Sequence, residues 1–243
     1  MKTPSFPRPS ATVILLRDRP AGLEMFMVLR HPKTNFAPGA LVFPGGGLEK
    51  NDSSKILRKY SVGADSLNDD ELCLYIAAIR ETFEECGILL ARPMGKKDII
   101  SADRLETLQK YRDLINNKKI ALSEFLKTEN LSLACDKLIP FARWITPENL
   151  PVRFDTLFFL SEAPADHFGR HDGSESIDSF WITPEVAIKS SDVGKYFIMF
   201  PTRMNILKLG ETDNVKKAVA NAKISNFVTV TPVIENRKNG TFL

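Results

Sequence analysis

Apolar residues recur every three or four positions between Asn68 and Gly87, which is the spacing of one face of an α-helix. The members of this apolar stripe are Leu72, Ile76, Ile79 and Phe83. Asn68 is a favourable N-cap, and Glu71 follows it at the spacing of a capping box. Gly87 suits the left-handed position beyond the last turn. The pattern therefore predicts a helix that is capped at both ends and buries one face.

The opposite face of this predicted helix carries Glu81, Glu84 and Glu85, whose spacing of i, i+3 and i+4 places them in one patch. Like charges at this spacing destabilise a helix by about 0.2–0.5 kcal/mol per pair. A hard divalent cation would reverse that penalty, because Mg²⁺ and Mn²⁺ prefer carboxylate oxygens. The alternative is a solvated acidic face, on which Arg80 forms an ordinary i, i+4 pair with Glu84.

Apolar runs elsewhere in the chain predict β-strands. They cover residues 11–16, 24–30, 138–145, 154–160, 177–182 and 227–231, with a short strand after residue 88. The first two are expected to pair antiparallel across the turn at residues 20–22. Further helices are predicted over residues 103–116, 123–129, 201–209 and 213–222, and from Pro184 with Thr183 as its cap.

Two stretches do not fit a simple alternation of these elements. Residues 50–68, which we call the polar segment, contain Gly63 and several Ser and Asp residues, so they are predicted to form a solvent-exposed loop. Residues 101–136, which we call the helical segment, are predicted to be a helical insertion that covers the sheet or shapes a substrate cleft. For any single residue of the helical segment, the favoured interpretation is that it only covers the sheet.

Composition narrows the class of protein without naming an activity. Of the 243 residues, 43% are hydrophobic and 26% are charged, as in ordinary globular proteins. The net charge of +3 is too small to indicate a nucleic-acid partner. Cys73, Cys86 and Cys135 lack metal-binding or redox spacing, so buried thiols in a reducing compartment are expected.

The sequence shows no feature of membrane insertion or secretion. No apolar run approaches the length of a membrane span, and residues 1–10 contain three prolines but no signal-peptide core. The last residues, 240–243, are not a peroxisomal Ser-Lys-Leu address. We therefore expect a cytoplasmic location and no membrane partner.

The acidic patch belongs to a longer pattern. It resembles the Nudix box of the Nudix hydrolases, Gly-x5-Glu-x7-Arg-Glu-U-x-Glu-Glu-x-Gly-U, where U is apolar. The matching positions are Gly46, Arg80, Glu81, Glu84, Glu85, Gly87 and Ile88. Gly46 and Arg80 lie 34 positions apart, so about twenty residues interrupt the box. Leu72 stands where the first glutamate is expected, eight positions before Arg80, and Glu71 comes nearest to a match.

An interrupted box of this kind resembles the branch of the family that includes peroxisomal coenzyme A diphosphatases. The likeness extends to Phe43-Pro44-Gly45-Gly46 and to the run at residues 51–54. It implies an α/β (α+β) fold in which a mixed β-sheet is sandwiched between helices. It also implies a single domain over residues 1–243, with insertions at about 50–68 and about 101–136.

The resemblance assigns expected roles to individual residues. The residues expected to bind Mg²⁺ or Mn²⁺ are Glu81, Glu84 and Glu85. Those expected to act in catalysis are Glu81, Glu84, Arg80 and Glu175, with Asp178 as the second choice for Glu175. Those expected to bind substrate are Arg30, Gly45, Gly46 and Arg153. A coenzyme A signature of some Nudix enzymes is matched at Arg30 and residues 39–46, but Asn35 stands in place of its second arginine. The alternatives are a solvated strand end for Arg30, a surface charge for Arg153 and an exposed loop carboxylate for Glu175.

The activity implied is metal-dependent hydrolysis of a diphosphate linkage in a nucleoside diphosphate derivative. Coenzyme A or its acyl esters are the expected substrates, giving 3′,5′-ADP and 4′-phosphopantetheine or its acyl form. ADP-ribose and NADH are alternatives with the same chemistry. A non-catalytic nucleotide-binding module is an alternative of another class. The only partners expected are the small-molecule substrate and, in a homodimer, a second copy of the chain.

Overall fold

The computed structural model describes residues 6–34, 36–233, 235–237 and 240–242. The strands within these ranges are β1 (Arg8–Arg19), β2 (Gly22–Arg30), β3 (Leu41–Val42), β4 (Gly45–Gly47), β5 (Ser61–Val62), β6 (Ala91–Pro93), β7 (Leu131–Ala134), β8 (Ile139–Ile145), β9 (Phe154–Glu162), β10 (Ser176–Ile182), β11 (Val228–Val230), β12 (Glu235–Arg237) and β13 (Gly240–Phe242). The six strands predicted over numbered ranges are present as β1, β2, β8, β9, β10 and β11, with boundaries that differ by a few residues.

Helices occupy much of the remaining chain. They are α1 (Asp69–Cys86), α2 (Ala102–Leu108), α3 (Arg112–Asn116), α4 (Leu122–Thr128), α5 (Pro184–Asp192), α6 (Phe200–Leu209) and α7 (Val215–Ile224). The helix predicted over residues 103–116 is divided by a 3₁₀ turn, Gln109–Tyr111. The cap predicted for α5 is confirmed, because the Thr183 hydroxyl accepts a hydrogen bond from the Val186 amide.

The main sheet is mixed, and its strand order is β10-β2-β1-β9-β8-β11. Strands β1 and β2 pair antiparallel, as predicted, whereas β1 and β9 run parallel. The short strand β4 pairs with the first half of β1, so that Gly45 lies opposite Thr12. This pairing fixes the residues Gly45–Gly47, which we call the glycine-rich turn, at one end of the sheet.

The sheet separates two apolar clusters, because successive side chains of a strand point to opposite faces. On one face, Val13 and Phe26 pack with residues of α1 and of the helical segment. On the other face, Ile14 and Met27 pack with residues of α5, α6 and α7. The predicted α/β arrangement, a mixed sheet between helices, is confirmed.

The prediction that the polar segment is a solvent-exposed loop is wrong for part of it. Two 3₁₀ helices, Lys50–Ser53 and Lys55–Tyr60, lead into β5. Leu57 joins the apolar cluster on the α1 face, and Asp52 is only 1% exposed. A buried carboxylate needs a compensating charge, and Arg80 supplies it.

Burial tests the prediction that was made for the cysteines. Cys73, Cys86 and Cys135 are buried free thiols, as predicted. Among the described residues, no helix combines the length and the apolar character that crossing a membrane requires.

Candidate active site

Helix α1 forms as its sequence predicts. The Asn68 side chain accepts from the Glu71 amide, and the Glu71 carboxylate accepts from the Asn68 amide, each at 2.9 Å. Gly87 ends the helix in the left-handed conformation, with φ of 66°. The predicted stripe is buried: Leu72, Ile76, Ile79 and Phe83. Phe83 of this stripe stacks on Phe125 of α4, with ring centroids 5.8 Å apart, and the opposite face of α1 lies against the glycine-rich turn.

The acidic patch on that face is withdrawn from water. Glu84 and Glu85 are buried, and the Glu81 side chain is 15% exposed. Burial raises the pKa of Glu81 to about 7 and that of Glu84 to about 8, although the charge of Arg80 opposes both shifts. Burial, reinforced by the charge of Glu81, also raises the pKa of Glu85 well above its ordinary value. The alternative of a solvated acidic face is therefore wrong.

Arg80 is the buried cation of this patch, and all five of its guanidinium N–H groups have acceptors. Nη1 donates to Glu81 Oε1 at 3.0 Å and to Glu84 Oε2 at 2.8 Å. Nε and Nη2 donate to the two oxygens of Asp52, each at 2.9 Å, and Nη2 also reaches the Gly47 carbonyl at 3.0 Å. Arg80 thus orients two of the three glutamates and is itself held by the polar segment.

Asp52 is the residue of the patch that sequence reasoning missed. Counted from Gly46, it occupies the position of the first glutamate in the Gly-x5-Glu part of the box. Counted backward from Arg80, the same position falls on Leu72, beside Glu71, because the interruption lies between Asp52 and Arg80. Counting forward from the glycine would have found a carboxylate one methylene shorter. The interruption therefore follows Asp52.

The glycine-rich turn lies directly against the acidic patch. The Gly45 amide donates to Glu85 Oε2 at 3.0 Å. A Cβ on Gly45 would overlap the Ala11 carbonyl, and a Cβ on Gly46 would lie 2.5 Å from Glu81 Oε1. The absence of a Cβ at these two glycines therefore lets the main chain approach the acidic patch closely.

Arg30 and Glu175 lie near the patch, where β2 ends and β10 begins. Arg30, at the end of β2, is half-buried, and its positive charge partly opposes the rise in the pKa of Glu85. Glu175 is exposed immediately before β10, and its negative charge raises the pKa of Glu81 and of Glu85. The second choice, Asp178, is exposed and accepts from the Ser179 amide. The structure thus brings Glu175 toward the glutamates.

Other predicted residues lie outside these contacts. Arg153 is buried just before β9, and its Nε donates to the Thr146 carbonyl at 3.1 Å. Its role in substrate binding stays a prediction. Asn35, which stands in place of the second arginine of the coenzyme A signature, lies outside the described residues.

The donor set of the patch can be tested against a hard cation. No three His, Cys, Asp or Glu side chains within the described ranges are arranged to hold a metal ion. In the same part of the chain, Glu81, Glu84 and Glu85 each direct one oxygen to Arg80 or to Gly45. The second oxygen of each has no hydrogen bond and is not sealed from solvent. Carboxylate oxygens are the ligands that Mg²⁺ and Mn²⁺ prefer, so the chemistry of these donors suits a hard cation.

Comparison with known proteins agrees with this geometry. The chain is 26% identical over 260 residues to acyl-coenzyme A diphosphatase NUDT19 of Xenopus laevis, covering 89% of this chain and 68% of the relative. It is 27% identical over 229 residues to the human protein of the same name, covering 75% of this chain and 60% of the relative.

A solved structure extends the likeness to three dimensions. A NUDIX hydrolase from Alicyclobacillus acidocaldarius superposes with a TM-score of 0.71 at 28% identity, covering 89% of this chain and 96% of that one. The family model of the NUDT19 Nudix domain matches residues 57–209. The chain therefore belongs to the NUDT19 Nudix domain family, within the Nudix hydrolases.

Proposed function

We propose that this protein hydrolyses a diphosphate linkage in a nucleoside diphosphate derivative, using the face of α1 that carries Glu81, Glu84 and Glu85. The observation that supports this proposal most is the cluster beneath the Gly45–Gly46 main chain, in which Glu81 and Glu84 contact the buried Arg80 guanidinium and the buried Glu85 accepts from the Gly45 amide. Withdrawing these charges from water costs free energy. A module that merely bound nucleotides would have no need to hold them together.

Glu81, Glu84 and Glu85 would hold Mg²⁺ or Mn²⁺, because each offers a carboxylate oxygen without a hydrogen bond. Nudix hydrolases generally use divalent metal ions. When bound, such an ion neutralises the anionic oxygens of a diphosphate and lowers the pKa of water.

The remaining roles fall to residues of this chain. Arg80 holds the side chains of Glu81 and Glu84 in place. Arg30 would bind a phosphate of the substrate through charge-assisted hydrogen bonds, and Arg153 is kept as a second candidate. Glu175 would accept the proton of the water that attacks phosphorus, as the other phosphate leaves.

The substrate that we propose first is coenzyme A or an acyl-coenzyme A. The relatives from Xenopus laevis and human are acyl-coenzyme A diphosphatases by name, and this chain spans 68% and 60% of their lengths. Arg30 and residues 39–46 match the coenzyme A signature in part. ADP-ribose and NADH are the alternatives. The cytoplasmic location, the absence of a nucleic-acid partner and the homodimer also stay predictions.

A panel of substrates tests the proposal. The purified chain is incubated with Mg²⁺ or Mn²⁺ and, separately, coenzyme A, an acyl-coenzyme A, ADP-ribose and NADH, and products are separated by chromatography. We expect 3′,5′-ADP from coenzyme A or its acyl ester. AMP from ADP-ribose or NADH alone would favour the alternative substrates. No product from any substrate would favour the non-catalytic module.

Glu84→Gln tests the residue assignment. It keeps the volume of the side chain but removes the charge, so kcat should fall at least about 100-fold. The matched control is Glu106→Gln, the same change at an exposed position of the helical segment, which should retain wild-type kcat. Circular dichroism should show both variants folded. Full activity of a folded Glu84→Gln variant would contradict the assignment.

A further inference from the structure

The C-terminal end of α1 is held by groups from outside the helix. A helix leaves its last carbonyls without partners inside the helix. Here the Glu84 carbonyl accepts from Arg112 Nη2 at 3.0 Å, and the Gly87 carbonyl accepts from Gln109 Nε2 at 3.0 Å. The Cys86 carbonyl accepts from the Arg170 amide at 2.7 Å. Two of these three donors belong to the helical segment.

Arg112 also connects α1 to the loop that leads to Glu175. The same Nη2 that contacts Glu84 donates to the Arg170 carbonyl at 3.0 Å. Arg170 is therefore bound through both of its main-chain groups, the amide to α1 and the carbonyl to Arg112. Five residues further along the chain, the loop reaches Glu175, whose charge acts on the acidic patch.

Gly87 shows how closely these groups approach the helix. Its φ of 66° already disfavours a residue with a Cβ. A Cβ there would in addition lie 2.8 Å from Gln109 Oε1 and 2.9 Å from Arg112 Nη1. The glycine thus serves both the end of the helix and the seating of the two side chains.

We propose that Arg112, assisted by Gln109, is a positioning residue of the acidic patch: it holds the last turn of α1 and the loop before Glu175 in one arrangement. Glu84 is then fixed at two points, its carboxylate by Arg80 and its carbonyl by Arg112. A displacement of about 1 Å in a reacting group can cost about 100-fold in rate. The effect on catalysis rests on the function proposed above, whereas the effect on the helix end does not.

Arg112→Ala tests the proposal through kinetics. Coenzyme A hydrolysis with Mg²⁺ should show a kcat at least about tenfold below wild type and a KM within about twofold, because a positioning residue acts through other side chains and not through substrate binding. Added guanidinium ion, well below denaturing concentrations, should restore part of the lost activity. The matched control is Arg104→Ala, which removes a guanidinium that binds Glu129 in the same segment, and its kcat should stay at the wild-type level.

Hydrogen–deuterium exchange of the metal-free protein provides a readout that needs no activity. Amides of residues 84–90 and 169–175 should exchange faster in Arg112→Ala than in wild type or Arg104→Ala. Gln109→Ala should show changes in the same direction. If Arg112→Ala fails to fold, the exchange of Gln109→Ala tests the proposal in its place. Unchanged exchange, or a wild-type kcat in an active enzyme, would overturn the proposal. If the wild-type protein cleaves no diphosphate, the proposed function fails, but the exchange result still tests whether Arg112 holds the last turn of α1 and the loop before Glu175.

Discussion

The polar segment and the helical segment both contact α1, but they hold different parts of it. The polar segment presents a carboxylate, Asp52, to the buried guanidinium of Arg80. The helical segment presents a guanidinium and an amide, from Arg112 and Gln109, to main-chain carbonyls at the end of the helix. One segment therefore orients charged side chains, and the other orients the backbone that carries them.

This difference has an energetic consequence. The Asp52–Arg80 pair is almost fully buried, so removing one partner leaves a charge that water cannot solvate. The carbonyls that Arg112 contacts are neutral and lie nearer the surface, so their loss of a donor costs less. We expect disruption of the polar segment to reduce stability strongly and disruption of the helical segment to reduce it modestly.

Asp52→Ala should give the largest effect on stability. It removes two of the four carboxylate oxygens that accept from Arg80, so the free energy of unfolding should fall by about 3 kcal/mol. Urea denaturation monitored by circular dichroism measures the change. Asp65→Ala, at an exposed position of the same segment, should change stability by less than about 0.5 kcal/mol. Equal effects of the two substitutions would contradict the role of Asp52.

Gly87→Ala probes the helical segment and should have an intermediate effect. The left-handed backbone alone should cost about 1–2 kcal/mol. Gly95→Ala is the matched control, because Gly95 has φ of 75° and nothing lies within 4 Å of its added Cβ. Any cost of Gly87→Ala beyond that of Gly95→Ala therefore measures the crowding of Gln109 and Arg112.

A double-mutant cycle sharpens this measurement. Combining Gly87→Ala with Arg112→Ala removes two of the three crowding atoms, Arg112 Nη1 and Cζ, so the two changes should cost at least about 0.5 kcal/mol less together than the sum of each alone. Additive costs would show that Arg112 does not press on the end of the helix.

The dependence of stability on pH should distinguish the contribution of the acidic patch from that of the helical segment. In the metal-free protein, the raised pKa values of Glu81, about 7, and Glu84, about 8, mean that the folded state binds more protons than the unfolded state above about pH 5. The free energy of unfolding should therefore fall as the pH rises from about 5 to about 8, and urea denaturation in the presence of a chelator measures it.

Variants distinguish which groups cause that slope. Glu84→Gln should make the slope shallower, because the substituted side chain does not titrate whereas Glu81 still does. Arg112→Ala should shift the whole curve down without changing its slope, since the carbonyls of Glu84 and Arg170 carry no titrating proton. A stability that rises with pH over this interval would contradict the raised pKa values.

Much of the candidate site was predictable because its parts are local. The caps at Asn68 and Gly87 depend on residues within one turn, and the spacing of Glu81, Glu84 and Glu85 follows from helix geometry. The place of Asp52 in the box follows from its distance to Gly46, but its pairing with Arg80 and the contacts of Arg112 were not predictable from local pattern. Asp52 and Arg112 each act on a residue 28 positions away in the chain, across an intervening segment whose length is not encoded in any periodicity.

Local sequence pattern was enough to predict helix α1 and its acidic face, because hydrogen bonds and side-chain directions within a few residues decide them. The burial of that face, the enclosure of Asp52 within a polar stretch and the contact of Arg112 with the end of α1 arise from long-range packing. Burial and charge pairing depend on which distant surfaces meet when the chain closes, and a carboxylate in a polar run is enclosed only where a guanidinium from another element compensates it.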